Sequence, residues 1–182
     1  VDWLAHIDVD EFLMPRTGSV SGALAALPEG TQVARVRPVE ALAPADGSFP
    51  SHFKAFHLDR DARQEASRRV YPTFGRYLSG GMLSHVAGKI FVRTGLPGIE
   101  LRIHNAFSGP DQVGPEAALD MLDLCHFHAP DYDTWAAHYA YRLDKGSYRA
   151  ELNPAVGADR GGGLTLHQLF SEIEAAEGAA GL

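Results

Sequence analysis

Three carboxylates stand close together near the start of the chain, at Asp8, Asp10 and Glu11. The residues before them alternate in polarity, with apolar side chains at every second position: Val1, Trp3, Ala5, Ile7 and Val9. This period predicts a buried strand, and it places Asp8 and Asp10 together on its other face. Two neighbouring carboxylates repel one another unless a cation lies between them, and hard divalent cations prefer oxygen ligands. We therefore predict a site for Mn2+ or Mg2+ at Asp8 and Asp10.

The alternative interpretation of the same residues is an acidic turn that ends the strand. Aspartate is a common turn residue, and its side chain can accept hydrogen bonds from nearby backbone amides. Phe12 and Leu13 follow directly, so the carboxylates have apolar neighbours on both sides in the sequence. This context favours the metal site over a solvated turn.

Two histidines belong to a second alternating segment, formed by Leu122, Leu124, His126 and His128. The alternation predicts a strand end with both imidazoles on one face. A single histidine is most often a core or surface residue, whereas imidazoles beside carboxylates are common metal ligands. Both interpretations stay open for this pair.

A basic cluster is predicted further along the chain. Lys89–Val92 and Ile99–Ile103 alternate around the turn Leu96–Gly98, which predicts a hairpin. If the polar faces of its strands meet, four side chains come together: Lys89, Arg93, Arg102 and His104. Such a cluster would bind a diphosphate or an anionic acceptor.

Taken together, these motifs resemble the family 2-like glycosyltransferases with a GT-A fold. The matching pieces occur in the family's order: Trp3-Leu4-x-x-Ile7-Asp8-Val9-Asp10-Glu11-Phe12-Leu13, Gly75-Arg76-Tyr77-Leu78, Ser84-His85-Val86-Ala87-Gly88-Lys89-x-x-Val92-Arg93, Arg102-Ile103-His104 and His126-Phe127-His128. The match extends from the start of the chain to about Arg149. As a set the pieces are fairly specific, although each alone is short.

The resemblance implies transfer of a sugar from a nucleotide-diphosphate donor to a hydroxyl acceptor. It implies that Asp10 holds the metal, that Asp8 contacts the nucleotide sugar or the metal, and that His126 completes the metal shell. A general base is expected for an inverting reaction, and the candidates are Glu11, Asp131 and Asp133. The family's nucleotide-binding half precedes the acidic motif, so we expect this chain to be the C-terminal portion of a longer enzyme, inactive alone.

Two other classes of function remain open. One is a non-catalytic domain that binds a sugar or a nucleotide. The other is a phosphatase of the haloacid dehalogenase type, in which Asp8 would be the nucleophile. Such phosphatases carry Thr or Val two residues after the second aspartate, where this chain has Phe12.

Composition narrows the class of protein. The 182 residues carry 16 Lys and Arg against 23 Asp and Glu, giving a net charge of -7, so a broad nucleic-acid or anionic-membrane surface is not expected. Cys125 is the single cysteine, which excludes an internal disulfide and a multi-cysteine zinc site. No apolar run has the length of a transmembrane segment, and we expect a cytoplasmic protein.

The predicted strands and helices follow one another without a strict β-α alternation, which indicates an α/β fold with a mixed sheet flanked by helices. This arrangement resembles the acceptor-side half of a GT-A domain. We expect one domain over residues 1–182, with a C-terminal helix and flexible tail over 157–182. In the first half of the chain we predict a helix capped by Ser19 or Ser21, a strand over Thr31–Val39 with Pro38 at an edge, and a charged lid or solvated segment over His52–Tyr71.

Three helices are predicted in the second half. The first is short and runs from Pro115 through Leu119–Asp123, and the next covers Asp131–Lys145 and is ended by Gly146. The last begins with Thr165 and Gln168 in a capping box.

Overall fold

The computed structural model of the protein describes residues 2–145 and 153–182, so Val1 and Gly146 lie outside the described residues. Within them the chain is mixed α/β. Nine strands are Trp3–Ala5 (β1), Glu11–Pro15 (β2), Val33–Ala41 (β3), Phe53–Lys54 (β4), Lys89–Arg93 (β5), Ile99–Leu101 (β6), Ala106–Ser108 (β7), Asp111–Val113 (β8) and Ala117–His126 (β9). The α-helices are Val20–Ala25 (α1), Arg60–Val70 (α2), Tyr132–Asp144 (α3) and Leu166–Glu177 (α4), and short 3-10 helices cover Ala158–Arg160 and Gly178–Gly181.

The chain divides into two compact units whose segments alternate along the sequence. The first comprises Val1–Ala41, His52–Ala55 and His85–Phe127, and the second comprises Leu42–Ser51, Phe56–Ser84 and His128–Leu182. The single domain expected from the sequence stays a prediction, because this division describes compactness and not independent folding.

The first unit is built on a six-stranded mixed sheet in the order β1-β5-β3-β9-β2, with β4 also paired to β3. The pair β3–β9 is parallel and the other pairs are antiparallel. The core of this sheet consists of Ala34, Val36, Phe91, Leu119, Leu122 and Leu124. Helix α1 packs on it through Val20, Ala23 and Leu24, and Leu27, just after the helix, also contacts it. A separate antiparallel sheet has the order β6-β7-β8.

The second unit contains α2, α3 and α4. Its core joins α3 and α4 through three buried aromatic residues, Trp135, Tyr139 and Phe170. The Trp135 and Tyr139 rings stack with centroids 5.4 Å apart, and Phe170 meets Trp135 edge to face at 5.2 Å. Among the described residues, no helix combines the length and the apolar character needed to cross a membrane.

The helices predicted from capping signals are confirmed. The Ser19 side chain accepts a hydrogen bond from Gly22 at the start of α1, and Thr165 with Gln168 forms the predicted capping box of α4. The segment His52–Tyr71, predicted as a charged lid or a solvated segment, contains α2, which is capped by Asp59. The C-terminal tail contains the 3-10 helix Gly178–Gly181, and Leu182 packs against the aromatic core. Its flexibility stays a prediction.

The opening strand is shorter than predicted. β1 ends at Ala5, Val9 is 98% exposed, and the residues from Asp8 to Glu11 form a turn. The backbone N–H of Glu11 donates to the Asp8 carbonyl at 3.0 Å, and the Glu11 carboxylate accepts from the Asp8 N–H, also at 3.0 Å. These local bonds bend the chain, so Asp8 and Asp10 do not share a strand face, and the alternative of an acidic turn describes their backbone.

The predicted hairpin is wrong, because its two strands belong to different sheets. β5 lies between β1 and β3 in the large sheet, whereas β6 pairs with β7. The difference arises because β5 is buried on both faces. Phe91 packs in the core described above, whereas Ile90 and Val92 pack in a second apolar cluster with Val33 and Ala106. Tertiary packing therefore decides the pairing of β5, and the turn beside it does not.

The predicted helix after Pro115 and the edge position of Pro38 are also wrong. Leu119 and Leu122 belong to β9. The pairing of β9 with β3 shifts between Arg35 and Arg37 of β3, so β9 carries extra residues at this point, and its apolar residues there have a helix-like spacing. Pro38 lies in the central strand β3, beyond Val36, where pairing with β5 ends, and before Glu40, where pairing with β4 begins. Among the described residues no strand pairs with Pro38 on the side of β3 that faces β5 and β4, so the N–H that proline lacks is not needed there.

Candidate functional site

A row of polar side chains crosses the first unit's sheet at one end. The register pairs Glu11 of β2 with His126 of β9, and His126 with Glu40 of β3. Directly paired residues point to the same face, so these three side chains form one row, which we call the polar row. Two residues away in each strand, towards the middle of the sheet, the three paired residues are apolar: Leu13, Leu124 and Pro38. The face therefore changes from an apolar core to an ionisable end.

Lys54 extends the polar row on β4. It pairs with Glu40 in the sheet, and its Nζ lies 2.8 Å from Glu40 Oε1. The Glu40 side chain is only 2% exposed, so this ion pair is largely desolvated. A buried carboxylate of this kind is tolerated because an ammonium compensates its charge.

The acidic turn delivers its carboxylates to the other end of the polar row. Lys89 at the start of β5 is fully buried, and its Nζ lies 2.8 Å from Asp8 Oδ2 and 3.4 Å from Glu11 Oε2. The Glu11 side chain is also fully buried. One ammonium is thus shared by two carboxylates, which fixes the turn against β5.

The electrostatics of this arrangement keep Glu11 ionised. Burial by itself raises the pKa of Glu11, but the contact with His85, the Asp8 amide and the charges of Lys89 and His126 together lower it to about 2. A carboxylate with this pKa is an anion throughout the physiological range. It can hold a cation, and it is a poor proton acceptor.

Three imidazoles surround the Glu11 carboxylate and the acidic turn. His85 Nε2 lies 3.5 Å from Glu11 Oε1, and His126 Nε2 lies 3.4 Å from Asp10 Oδ2. The ring of His104 packs against that of His85 with centroids 4.2 Å apart, while its Nδ1 lies 2.9 Å from the Gly88 carbonyl. Burial lowers the pKa of His104, and the hydrogen bond to Gly88 only partly offsets this effect. His104 is therefore a neutral imidazole at physiological pH.

The structure brings together six of the predicted site residues: Asp8, Asp10, Glu11, Lys89, His104 and His126. The two predicted arginines are bound elsewhere. Arg93 donates to the Thr31 carbonyl at 3.0 Å and covers the Trp3 ring, and Arg102 pairs with Glu100 at 2.7 Å. The predicted cluster of four basic residues does not form, because the hairpin that would have assembled it is absent.

The remaining predicted residues lie in the second unit. Asp131 caps α3, since its carboxylate accepts from the Thr134 N–H at 2.7 Å and from the Thr134 hydroxyl at 2.9 Å. These hydrogen bonds lower the pKa of Asp131. Asp133 is exposed in the first turn of α3, and His128 is buried with its Nε2 3.2 Å from Arg142 Nη1.

Sequence reasoning gave no role to His85, Glu40 or Lys54. His85 stands four residues before Lys89 in one of the matching motifs, and that position was the available signal. Glu40 continues the alternation of Val36 and Pro38, but the predicted strand ended one residue before it. Cys125 is buried, and burial raises the pKa of its thiol.

Comparison with models of protein families, with curated proteins and with solved structures found no match to this chain.

Proposed function

We propose that the chain is part of a glycosyltransferase that transfers a sugar from a nucleotide-diphosphate donor to a hydroxyl acceptor, resembling the acceptor-side half of a GT-A enzyme of the cytoplasm. The sequence motifs support this proposal. The observation that carries it is the assembly of the acidic turn with Lys89, His85 and His126, which come from two further segments of the chain. An acidic, cation-binding centre is what diphosphate chemistry requires.

The residues of the turn fit a divalent cation in part. Asp10 Oδ2 and His126 Nε2 lie 3.4 Å apart, a separation that two ligands of one ion can have. Asp8 is already paired with Lys89, so it fits a contact with the nucleotide sugar better than a place in the metal shell. Mn2+ or Mg2+ held by Asp10 and His126 would supply positive charge against the leaving diphosphate.

The other residues of the centre orient these groups. Lys89 holds Asp8 through an ion pair from a fully buried position, so the turn is rigid before any ligand binds. Preorganised charge of this kind lowers the barrier more than mobile charge, because it needs no reorganisation during the reaction. Glu11, Asp131 and Asp133 stay the candidate general bases, and the lowered pKa values of Glu11 and Asp131 make those two weak proton acceptors.

A second candidate function follows from the same pKa values. A domain that binds a nucleotide or a sugar needs no general base, and two of the three candidate bases are weak ones. A non-catalytic binding domain is therefore the alternative. Covalent trapping of phosphate at Asp8 would instead indicate the phosphatase, whose nucleophile would be this carboxylate.

Calorimetric titration with nucleoside diphosphates, with and without Mn2+, tests the proposal. We expect binding that requires Mn2+ and that is lost in Asp10→Ala. Asp111→Ala, an exposed aspartate in β8, is the matched control and should bind normally. Unchanged binding in Asp10→Ala would contradict the proposal, and nucleotide binding that does not depend on Mn2+ would favour the binding domain.

A further inference from the structure

Glu11 presents one carboxylate oxygen that protein groups do not satisfy. Its Oε2 accepts from the Asp8 N–H at 3.0 Å and faces Lys89 Nζ at 3.4 Å. Its Oε1 is buried and, among the described residues, has no hydrogen-bond partner; the closest approach is His85 Nε2 at 3.5 Å. Leaving a buried ionised oxygen without a hydrogen-bond partner has a free-energy cost, because its lost hydration is not compensated. A ligand bound at Oε1 would remove that cost.

His85, which faces Glu11 Oε1, also has buried polar atoms that lack a hydrogen-bond partner among the described residues. We call the space between the Glu11 carboxylate and the His85 ring the gap. Both of its ring nitrogens are buried and, within the described part of the chain, neither has a hydrogen-bond partner. A neutral imidazole has one N–H to donate and one nitrogen to accept, so two unsatisfied nitrogens are unusual for a purely structural histidine. Its ring lies between those of His104 and His126, at centroid distances of 4.2 and 5.6 Å.

Three ligand atoms converge at this gap. One carboxylate oxygen of Glu11 and one ring nitrogen each of His85 and His126 all lie within 4.8 Å of one another. Ligand atoms that bind a tetrahedral metal at about 2.0–2.2 Å are roughly 3.4 Å apart, so small side-chain rotations close the shell. The backbone positions of the three residues need not change.

The charge of the surroundings also fits a dication. Asp8, Asp10 and Glu11 carry three negative charges near one ammonium, that of Lys89, which leaves an excess of two negative charges. A divalent cation would cancel it.

We propose that Glu11, His85 and His126 bind a transition metal of the class that prefers imidazole, such as Zn2+ or Co2+. Two imidazoles and one carboxylate suit these ions, whereas Mg2+ and Ca2+ prefer oxygen ligands alone. This ligand set differs from the one implied by the resemblance, because it uses Glu11 and His85 and leaves Asp8 with Lys89. Three protein ligands leave a coordination position for water or for an oxygen of a bound molecule.

Titration of the metal-free 182-residue chain with Co2+, followed by visible absorption and displaced by Zn2+, tests the proposal. We expect the absorption bands of four- or five-coordinate Co2+, and a loss of affinity of about 100-fold or more in His85→Gln. Glu11→Gln, which keeps the shape of the side chain, should lose affinity likewise. Folding of each variant is checked by circular dichroism.

His57→Gln is the matched control, because His57 is an exposed histidine that is absent from the group of converging ligands. It should keep the Co2+ affinity within about twofold. The proposal is overturned if the wild-type chain gives no Co2+ bands, if folded His85→Gln binds as well as the wild type, or if His57→Gln loses as much affinity as His85→Gln.

The titration contains no nucleotide, so its result is independent of the proposed glycosyltransferase function. Co2+ binding without any nucleoside diphosphate binding would support the metal site and reject the transferase. Nucleotide binding that needs Mn2+, in a chain that gives no Co2+ bands, would do the opposite.

Discussion

Lys89 is the residue on which the acidic turn depends most. Its ammonium is fully buried and is shared by Asp8 and Glu11 at 2.8 and 3.4 Å. Such a group is stable only while its partners remain, because an unpaired buried charge has lost its hydration without compensation. Removing the ammonium leaves the buried Glu11 carboxylate in the same position.

Lys89→Met is therefore expected to lower the free energy of unfolding by about 3–5 kcal/mol, measured by urea denaturation in a chelating buffer. Arg102→Met is the control, since its ion pair with Glu100 is exposed to solvent and should contribute little. Adding Glu11→Gln to Lys89→Met should restore part of the loss. Equal stabilities of Lys89→Met and the wild type would show that the pair does not hold the turn.

The chemistry-bearing residue types of the site were largely predictable. Asp8, Asp10, Glu11 and His126 were predicted from spacing and resemblance, and the structure places them close together. The geometry that joins them was not predictable from their local spacing. The contact between Lys89 and Asp8 spans 81 residues, and it follows from how β5 is placed in the sheet.

Gly88 connects the turn region to β5 through a backbone shape that other residues rarely adopt. Its φ is +71°, and a Cβ at this position would lie 2.1 Å from the Val36 carbonyl oxygen. Gly95 shares the positive φ, at +80°, but has open space around its Cα. The two positions therefore separate the cost of the dihedral angle from the cost of the clash.

We expect Gly95→Ala to destabilise the chain by about 1 kcal/mol, which is the cost of the left-handed conformation alone. Gly88→Ala should cost at least about twice as much, because the chain of β3 must move away. Thermal and urea denaturation of both variants measure this difference. Equal losses in the two variants would mean that the close approach to Val36 has no energetic consequence.

The capping box of α4 offers a second prediction for an element. Thr165 accepts from the Gln168 N–H at 3.2 Å, and the Gln168 side chain accepts from the Thr165 N–H at 2.9 Å. Thr165→Ala removes one of these bonds and should cost about 1 kcal/mol of stability, while Thr165→Ser should keep most of it. Denaturation followed by circular dichroism distinguishes the two. A serine variant as unstable as the alanine variant would assign the loss to the methyl group and not to the cap.

Helices were predicted better than strand pairings, and the reason is physical. Ser19, Thr165 and Gln168 act on amides within the same turn, so their signal is local in the sequence. Strand pairing depends on distant residues, as β5 and β9 illustrate. The spacing of Leu119 and Leu122 indicated a helix because an irregular register in β9 gives the same interval.

At the scale of the whole molecule, two compact units are formed from interleaved segments of one chain. The polar row, the acidic turn and the histidines His85, His104 and His126 all belong to the first unit. Asp131 and Asp133 belong to the second. The proposed binding site for nucleotide diphosphate and metal therefore lies in the first unit, at the end of its sheet where the core gives way to ionisable side chains.

Backbone amide NMR of the isotopically labelled chain, titrated with Mg2+ and a nucleoside diphosphate, reports where the ligand binds. We expect chemical-shift changes at Asp8 to Glu11, at His85 to Lys89 and at His126, and none at the amides of Asp111–Val113 in β8. The same titration in Asp10→Ala should give no shift changes. Shift changes confined to the second unit, or none at saturating ligand, would show that the ligand does not bind at this end of the first unit's sheet.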